Sequence, residues 1–258
     1  MSSETTQNYR LQGNPIMDIN PDLLPRIGNL IYDELGKDVL RIHNKRFKGK
    51  KRIEDLTQYK EDQPISFSNV PRILSYNQIL RERPENLSVL SLEDVLINWN
   101  SIPERNSTYA DTDLTTLYPN QGVNEDLRQL VFKIIGKSST RIPLVVSGLS
   151  VDPADNSYGF TFKGTDYLRV LEAPFLTKTQ RIKYDPKKQE IVPSDSNEGV
   201  LIYVPEDQSG LRRLCRGRSE LGAGVDYLLS SGAGGRVQVR KPKALAKNFE
   251  AILNSLKK

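Results

Sequence analysis

Residues 124–151 read NEDLRQLVFKIIGKSSTRIPLVVSGLSV, and a change of apolar spacing inside this stretch decides the fold class. Its first half sets Leu127, Leu130, Val131, Ile134 and Ile135 on one side of a repeat of about 3.6 residues, with Asn124 as a cap, acids in the first turn and Gly136 as a stop. That half predicts a helix. Beyond residue 140 apolar side chains recur at every second position, the spacing of a strand. The same short period continues through SYGFTFKG, DYLRVLEA, TQRIKYD, QEIV, GVLIYV and RVQVR, and YDPKKQ reads as the turn of a hairpin.

Working outward, NPDLLPRIGNLIYDELG (20–36) predicts a helix capped by Asn20, with Pro21 at its first position and Gly36 as its stop. SLEDVLINWN predicts a brief helix, because Ser91 and Asp94 have capping-box spacing. Pro64, Pro71 and Pro84 are expected to interrupt long elements over 61–90, since each proline fixes its own φ and biases its predecessor away from helix. A helix is expected around SGLRRLCRGRSEL (209–221), and KPKALAKNFEAILNSLKK (241–258) reads as a terminal amphipathic helix. The expected class is α+β, a helical N-terminal part followed by a β-rich C-terminal part. The expected division is a disordered tail over 1–14, a mainly helical segment over 15–140 and a β-rich domain over 141–258.

With 258 residues the chain can bury a sizeable core without staples. Its single cysteine, Cys215, cannot close an intramolecular disulfide, which fits a reducing compartment. The polar start MSSETTQNYRLQGNP lacks the basic and apolar regions of a secretory leader, and no long apolar run occurs, so a cytoplasmic protein with no membrane span is expected. The net charge of +5 is uneven: residues 1–60 carry net +3, residues 61–155 net −5 and residues 156–258 net +7. Basic flanks of this kind favour polyanionic partners.

Three clusters carry that excess. RIHNKRFKGKKR (41–52) holds Arg41, Lys45, Arg46, Lys48, Lys50, Lys51 and Arg52 with no acid among them. LRRLCRGR supplies Arg212, Arg213, Arg216 and Arg218, and RVQVRKPK supplies Arg236, Arg240, Lys241 and Lys243. All are candidate phosphate contacts, because each cation that neutralises a phosphate releases counterions and arginine binds phosphate in a bidentate fork. Solvated loops, or pairing with the acidic middle of the chain or of a neighbouring subunit, are the bland alternatives. Tyr158, Phe160 and Phe162 share one strand face and are candidate base-stacking rings, although three such rings are more often core. An RNA-recognition fold fails as a home for these strands on the spacing of its two motifs, and an oligonucleotide-binding barrel is the alternative on pattern alone.

Signals for catalysis are sparse. His43 is the one histidine, and it sits inside the most basic segment. Gly222 and Gly224 begin a dinucleotide-type glycine pattern that breaks at Tyr227, while the GKS of IIGKSST lacks the leading glycine of a P-loop. Cys215 has no arginine at the phosphatase-loop position, which Leu221 occupies. Asp111 with Asp113, and Asp152 with Asp155, can in principle ligate a hard cation, but such residues more often build turns. No cofactor or metal is therefore expected. The leading expectation is a non-catalytic protein that binds RNA or DNA within a larger nucleoprotein assembly. The alternative is a structural or scaffolding subunit, of a viral particle or another multi-protein machine, held by charge-complementary contacts. A nuclease is the third reading.

Overall fold

The computed structural model describes residues 26–48, 56–84, 86–99, 109–195, 197, 199–217, 219–225 and 227–241, with the side chains of Arg26 and Lys241 excepted. The expected N-terminal tail and the terminal amphipathic helix lie outside these residues. Four α-helices are described, all before residue 136: α1 (Glu34–Arg46), α2 (Val70–Arg81), α3 (Leu92–Ile97) and α4 (Glu125–Ile134). Most strands follow them, so the class is α+β with a helical N-terminal part and a β-rich C-terminal part.

A small sheet has the order β1-β12-β2, built from β1 (Arg26–Asn29), β12 (Gln238–Lys241) and β2 (Ser88–Val89). The large sheet runs β5-β4-β3-β9-β10-β8-β6-β7. Its strands are β3 (Tyr109–Leu117), β4 (Leu144–Pro153), β5 (Phe160–Glu172), β6 (Gln180–Asp185), β7 (Glu190–Pro193), β8 (Val200–Tyr203), β9 (Leu211–Arg216) and β10 (Glu220–Val225). A ninth, β11 (Gly235–Arg236), pairs in parallel with β3. β3 lies between β4 and β9, and β1 pairs with β12. Residues 15–140 and 141–258 therefore share both sheets, and the change of period near 140 does not separate two independent domains.

Local chemistry explains the elements that differ from expectation. The helix expected over 20–36 is replaced, over its described part, by strand β1 and a later helix. Leu30 and Ile31 belong to extended backbone that bonds Val237 and pairs with Pro64. The helix then starts behind Asp33, whose carboxylate accepts from the Gly36 amide at 3.0 Å, so Gly36 lies in the first turn instead of closing one. The basic stretch continues that helix as far as Arg46.

Pro71 does not interrupt the chain over 61–90. It occupies the first turn of α2, where its missing N–H costs nothing, and Asn69 caps the helix through the Arg72 amide at 3.1 Å. α3 begins as expected at the Ser91–Asp94 capping box. α4 also forms, but Asn124 is left-handed and its side chain makes no cap; its Nδ2 donates instead to the Leu211 carbonyl at 2.8 Å.

The helix expected at 209–221 is a buried strand, β9, between β3 and β10. Burial on both faces removes the alternation by which a strand is read from sequence. The two runs SYGFTFKG and DYLRVLEA join into one strand, β5. The glycines of 220–225 lie within β10, and a Cβ on Gly224 would stand 3.2 Å from the Pro205 backbone nitrogen, so close strand approach explains that glycine.

The core has three apolar clusters. One lies under α3 and joins Leu114, Val145, Ile182, Ile202, Leu214 and Leu221 across the large sheet. A second sits between that sheet and α4, around Leu127, Val131, Phe132, Phe160 and Phe162. The third packs α1 and α2 on the small sheet through Leu40, Ile73, Tyr76, Ile79 and Val239. α2 contributes to the second and third clusters, so one helix welds the two sheets. Among the described residues, no helix is long and apolar enough to cross a membrane.

Candidate functional site

The three basic clusters end in different settings. On α1, Arg41 and Lys45 are exposed, as is Lys48 in the turn that follows, and Arg41 makes a surface ion pair with Asp38 at 3.5 Å. Arg46 turns inward and donates to Gln78 Oε1 at 2.7 Å. His43 is fully buried, hydrogen-bonded through Nδ1 to Ser75 Oγ at 3.0 Å and stacked on Phe47, so it has no open access to a substrate. Lys50, Lys51 and Arg52 lie outside the described residues.

The second cluster is a correction. Arg212, Arg213 and Arg216 are buried in β9 and cannot lie along a phosphate backbone. Arg212 bonds the Ser209 and Gly224 carbonyls at 2.9 and 2.8 Å and pairs with Asp207 at 3.2 Å. Arg213 pairs with buried Asp111 at 3.1 Å, donates to the Ser230 carbonyl at 3.0 Å and lies over the Tyr109 ring. Arg216 donates to Gln238 Oε1 at 3.1 Å. A buried guanidinium must have such partners, because an uncompensated one costs several kcal/mol. Arg218 lies outside the described residues.

In the third cluster, Arg236 donates to the Ala233 carbonyl at 2.6 Å, while Arg240 pairs with Asp94 at 3.2 Å and bonds Ser88. Lys241 is described by its backbone in β12 alone, and Lys243 lies beyond. β9 belongs to the large sheet and β12 to the small one, and their described arginines are engaged within the chain.

The candidate base-stacking rings do not stand open on the surface, contrary to that expectation. Phe160 and Phe162 are buried in the core with edge-to-face geometry, and Tyr158 packs beside them, half-buried. Cys215 is buried, which pushes its thiol up to about 12, and Asp111 adds to that shift; a nucleophilic thiolate is disfavoured.

The paired aspartates serve structure. Burial pushes Asp111 up to about 6, against the pull of Arg213 and of a bond from Ser68 Oγ at 3.0 Å. Asp113 lies in a bulge, where β3 takes four residue steps between Asp111 and Thr115 against two on β9. It accepts from Asn77 Nδ2 at 3.2 Å, and burial pushes it up to about 7. Asp152 forms an ion pair with Lys163.

The surface that sequence reasoning missed is the border of the large sheet. β5 pairs with β4 alone among the described strands, and from Lys163 onward nearly every residue is exposed or half-exposed. Tyr167, Val170 and Leu171 are exposed apolar side chains. Asp166, Arg169 and Glu172 are exposed charges of alternating sign at every third position, with no ion pair recorded among the described residues. A wide bulge interrupts the strand, with five residue steps from Gly164 to Arg169 against two on β4. At the opposite border β7 pairs with β6 alone, and Lys183, Lys187, Lys188 and Glu190 are exposed nearby. The available signal was charge at every third residue through 163–172, which resembles an ordinary solvated strand. Comparison with known proteins finds no matching family model, curated protein or solved structure.

Proposed function

We propose that this chain is a non-catalytic structural subunit that associates with copies of itself, the β5 border of one copy adding to the β7 border of the next. The observation that carries this reading is the long, one-sided strand β5 with exposed Tyr167, Val170 and Leu171. An unpaired strand edge offers a row of free N–H and C=O groups, and apolar side chains on it make addition of another strand favourable. Charge supports the choice of β7, because with Arg169 facing Glu190 one of the two acids that flank it, Asp166 or Glu172, can face Lys187 in the turn that leads into β7. Two different borders meeting make a heterologous contact, which builds rings or open chains. The cytoplasm or a virion is the setting this reading fits.

Bulges and charges also protect the edges of solitary proteins, so association itself is the test. Light scattering should give a mass that rises with concentration in the absence of nucleic acid and falls at high salt. The Val170→Lys, Leu171→Lys double variant, altered at exposed positions, should stay monomeric with an unchanged far-UV spectrum. A wild-type protein that is monomeric at every concentration and salt overturns the proposal.

One observation favours a nucleic-acid reading as well: Arg41 and Lys45 stand at i and i+4 on the exposed side of α1, and exposed Lys48 follows in the turn just past its end. RNA or DNA binding through them predicts an oligonucleotide affinity that falls steeply with salt and flattens in a Lys45→Ala, Lys48→Ala variant. Binding with no salt slope eliminates this reading.

A further inference from the structure

The middle of the β5 border is held from behind by a polar junction that contains one buried acid. Arg81, at the end of α2, lies over the Tyr167 ring at 4.8 Å, and its Nε donates to Asn77 Oδ1 at 3.3 Å. That oxygen also accepts from the Val89 amide at 3.0 Å, so Asn77 ties α2 to the small sheet. The other side of the same amide donates to Asp113 Oδ2. One asparagine thus separates Arg81 from Asp113.

Asp113 is nearly sealed from solvent, and its Oδ1 has no hydrogen-bond partner. The charged groups that face it are Arg81 from α2, Glu93 and Asp94 from α3, and Arg240 from β12. Arg240 is held by an ion pair to Asp94 and a bond to Ser88, whereas Arg81 is held by two uncharged partners, Asn77 and the Tyr167 ring.

We infer that the proton on Asp113 is a switch for the β5 border: when it leaves, the new carboxylate draws Arg81 off Tyr167 and loosens the bulged segment that carries this ring. The reason is electrostatic. A carboxylate with one oxygen unbonded in a dry interior is costly, and the nearest mobile cation lowers that cost by approaching. Arg81 then loses its contact with the ring, and residues 165–168, already outside the regular β4 ladder, lose their support from α2. Burial and the two facing acids place the titration near neutral pH, at about 7. Association through β5 weakens as pH rises, by at most about tenfold per pH unit, the limit for one linked proton. This consequence rests on the docking role proposed for β5, whereas the movement of Arg81 does not.

The two can be tested apart. The Nε–Hε resonance of Arg81, assigned by loss in Arg81→Lys, is followed by NMR from about pH 5 to about pH 9. In the wild type it should shift with a midpoint near 7, and in Asp113→Asn it should stay flat. A flat wild-type signal, or an equal shift in both proteins, overturns the switch. Light scattering over the same range reads the docking role: association that weakens with pH in the wild type but not in Asp113→Asn supports the coupling. Association with the same pH profile in both proteins refutes the coupling alone, and no association at any pH refutes the docking role while leaving the Arg81 titration to decide the switch.

Discussion

Replacing Asp113 by asparagine should make this protein more stable above neutral pH. In the folded chain the acid is pushed from its ordinary 3.8 up to about 7, with burial as the main cause and Glu93 and Asp94 adding to it against Arg81 and Arg240. The folded state therefore holds the proton more tightly than the unfolded chain does. The resulting stabilisation is complete below about pH 4 and drains away as pH rises to about 7, at about 1.4 kcal/mol per pH unit. Across that window the wild type loses on the order of 4 kcal/mol from this one group, a large share of a typical folding free energy.

Asparagine keeps the shape and accepts the bond from Asn77, but it leaves an unpartnered amide, which costs about 1–3 kcal/mol. The variant should thus be the weaker protein near pH 4, draw level near pH 5 and be the stronger one near pH 8. Asp111, pushed up to about 6, titrates in both proteins and cancels in the comparison. Urea denaturation of both proteins across this range, with unchanged m-values, reads the difference directly. A difference that does not vary with pH, or that favours the wild type more at pH 8 than at pH 5, refutes the reasoning.

Two further outcomes follow from the central strands. Arg213→Ala strands the Asp111 carboxylate in the interior and should cost about 3–5 kcal/mol in denaturant unfolding, with part of the loss recovered by the added change Asp111→Asn. Gly148→Ala places a Cβ 2.3 Å from the Tyr167 carbonyl oxygen at a residue with φ of 74°, so it should cost at least about 2 kcal/mol, read as a lowered Tm.

Elements with one apolar face were legible in the sequence. α4 shows its stripe, and the β6–β7 hairpin shows its turn, where Asp185 Oδ1 accepts from the amides of Lys187 and Lys188. Elements buried on both faces were not. β9 carries three arginines through the interior, and a reader counting charges places them outside, because each partner lies elsewhere in the sequence: Asp207 in a loop, Asp111 on β3 and Gln238 on β12. β3 was hidden for the same reason. Its Asp111, Thr112, Asp113, Thr115 and Thr116 read as a polar connection until the surrounding donors are known. The β5 border escaped notice because exposure on one side is a property of the assembled sheet, and SYGFTFKGTDYLRVLEA carries no mark of which side stays open.

The pairing of β1 with β12 sets Arg26–Asn29 against Gln238–Lys241. A ribosome delivers the first of these strands before every other described element and the second after them all. Until then β1 has no partner among the described strands, since β2 reaches it through β12. Assembly of the small sheet is consequently a late event, and long-range closures of this type are slow. Before it closes, α1 and α2 present their apolar faces without a lid, and a chain cut short of residue 238 would remain in that sticky condition.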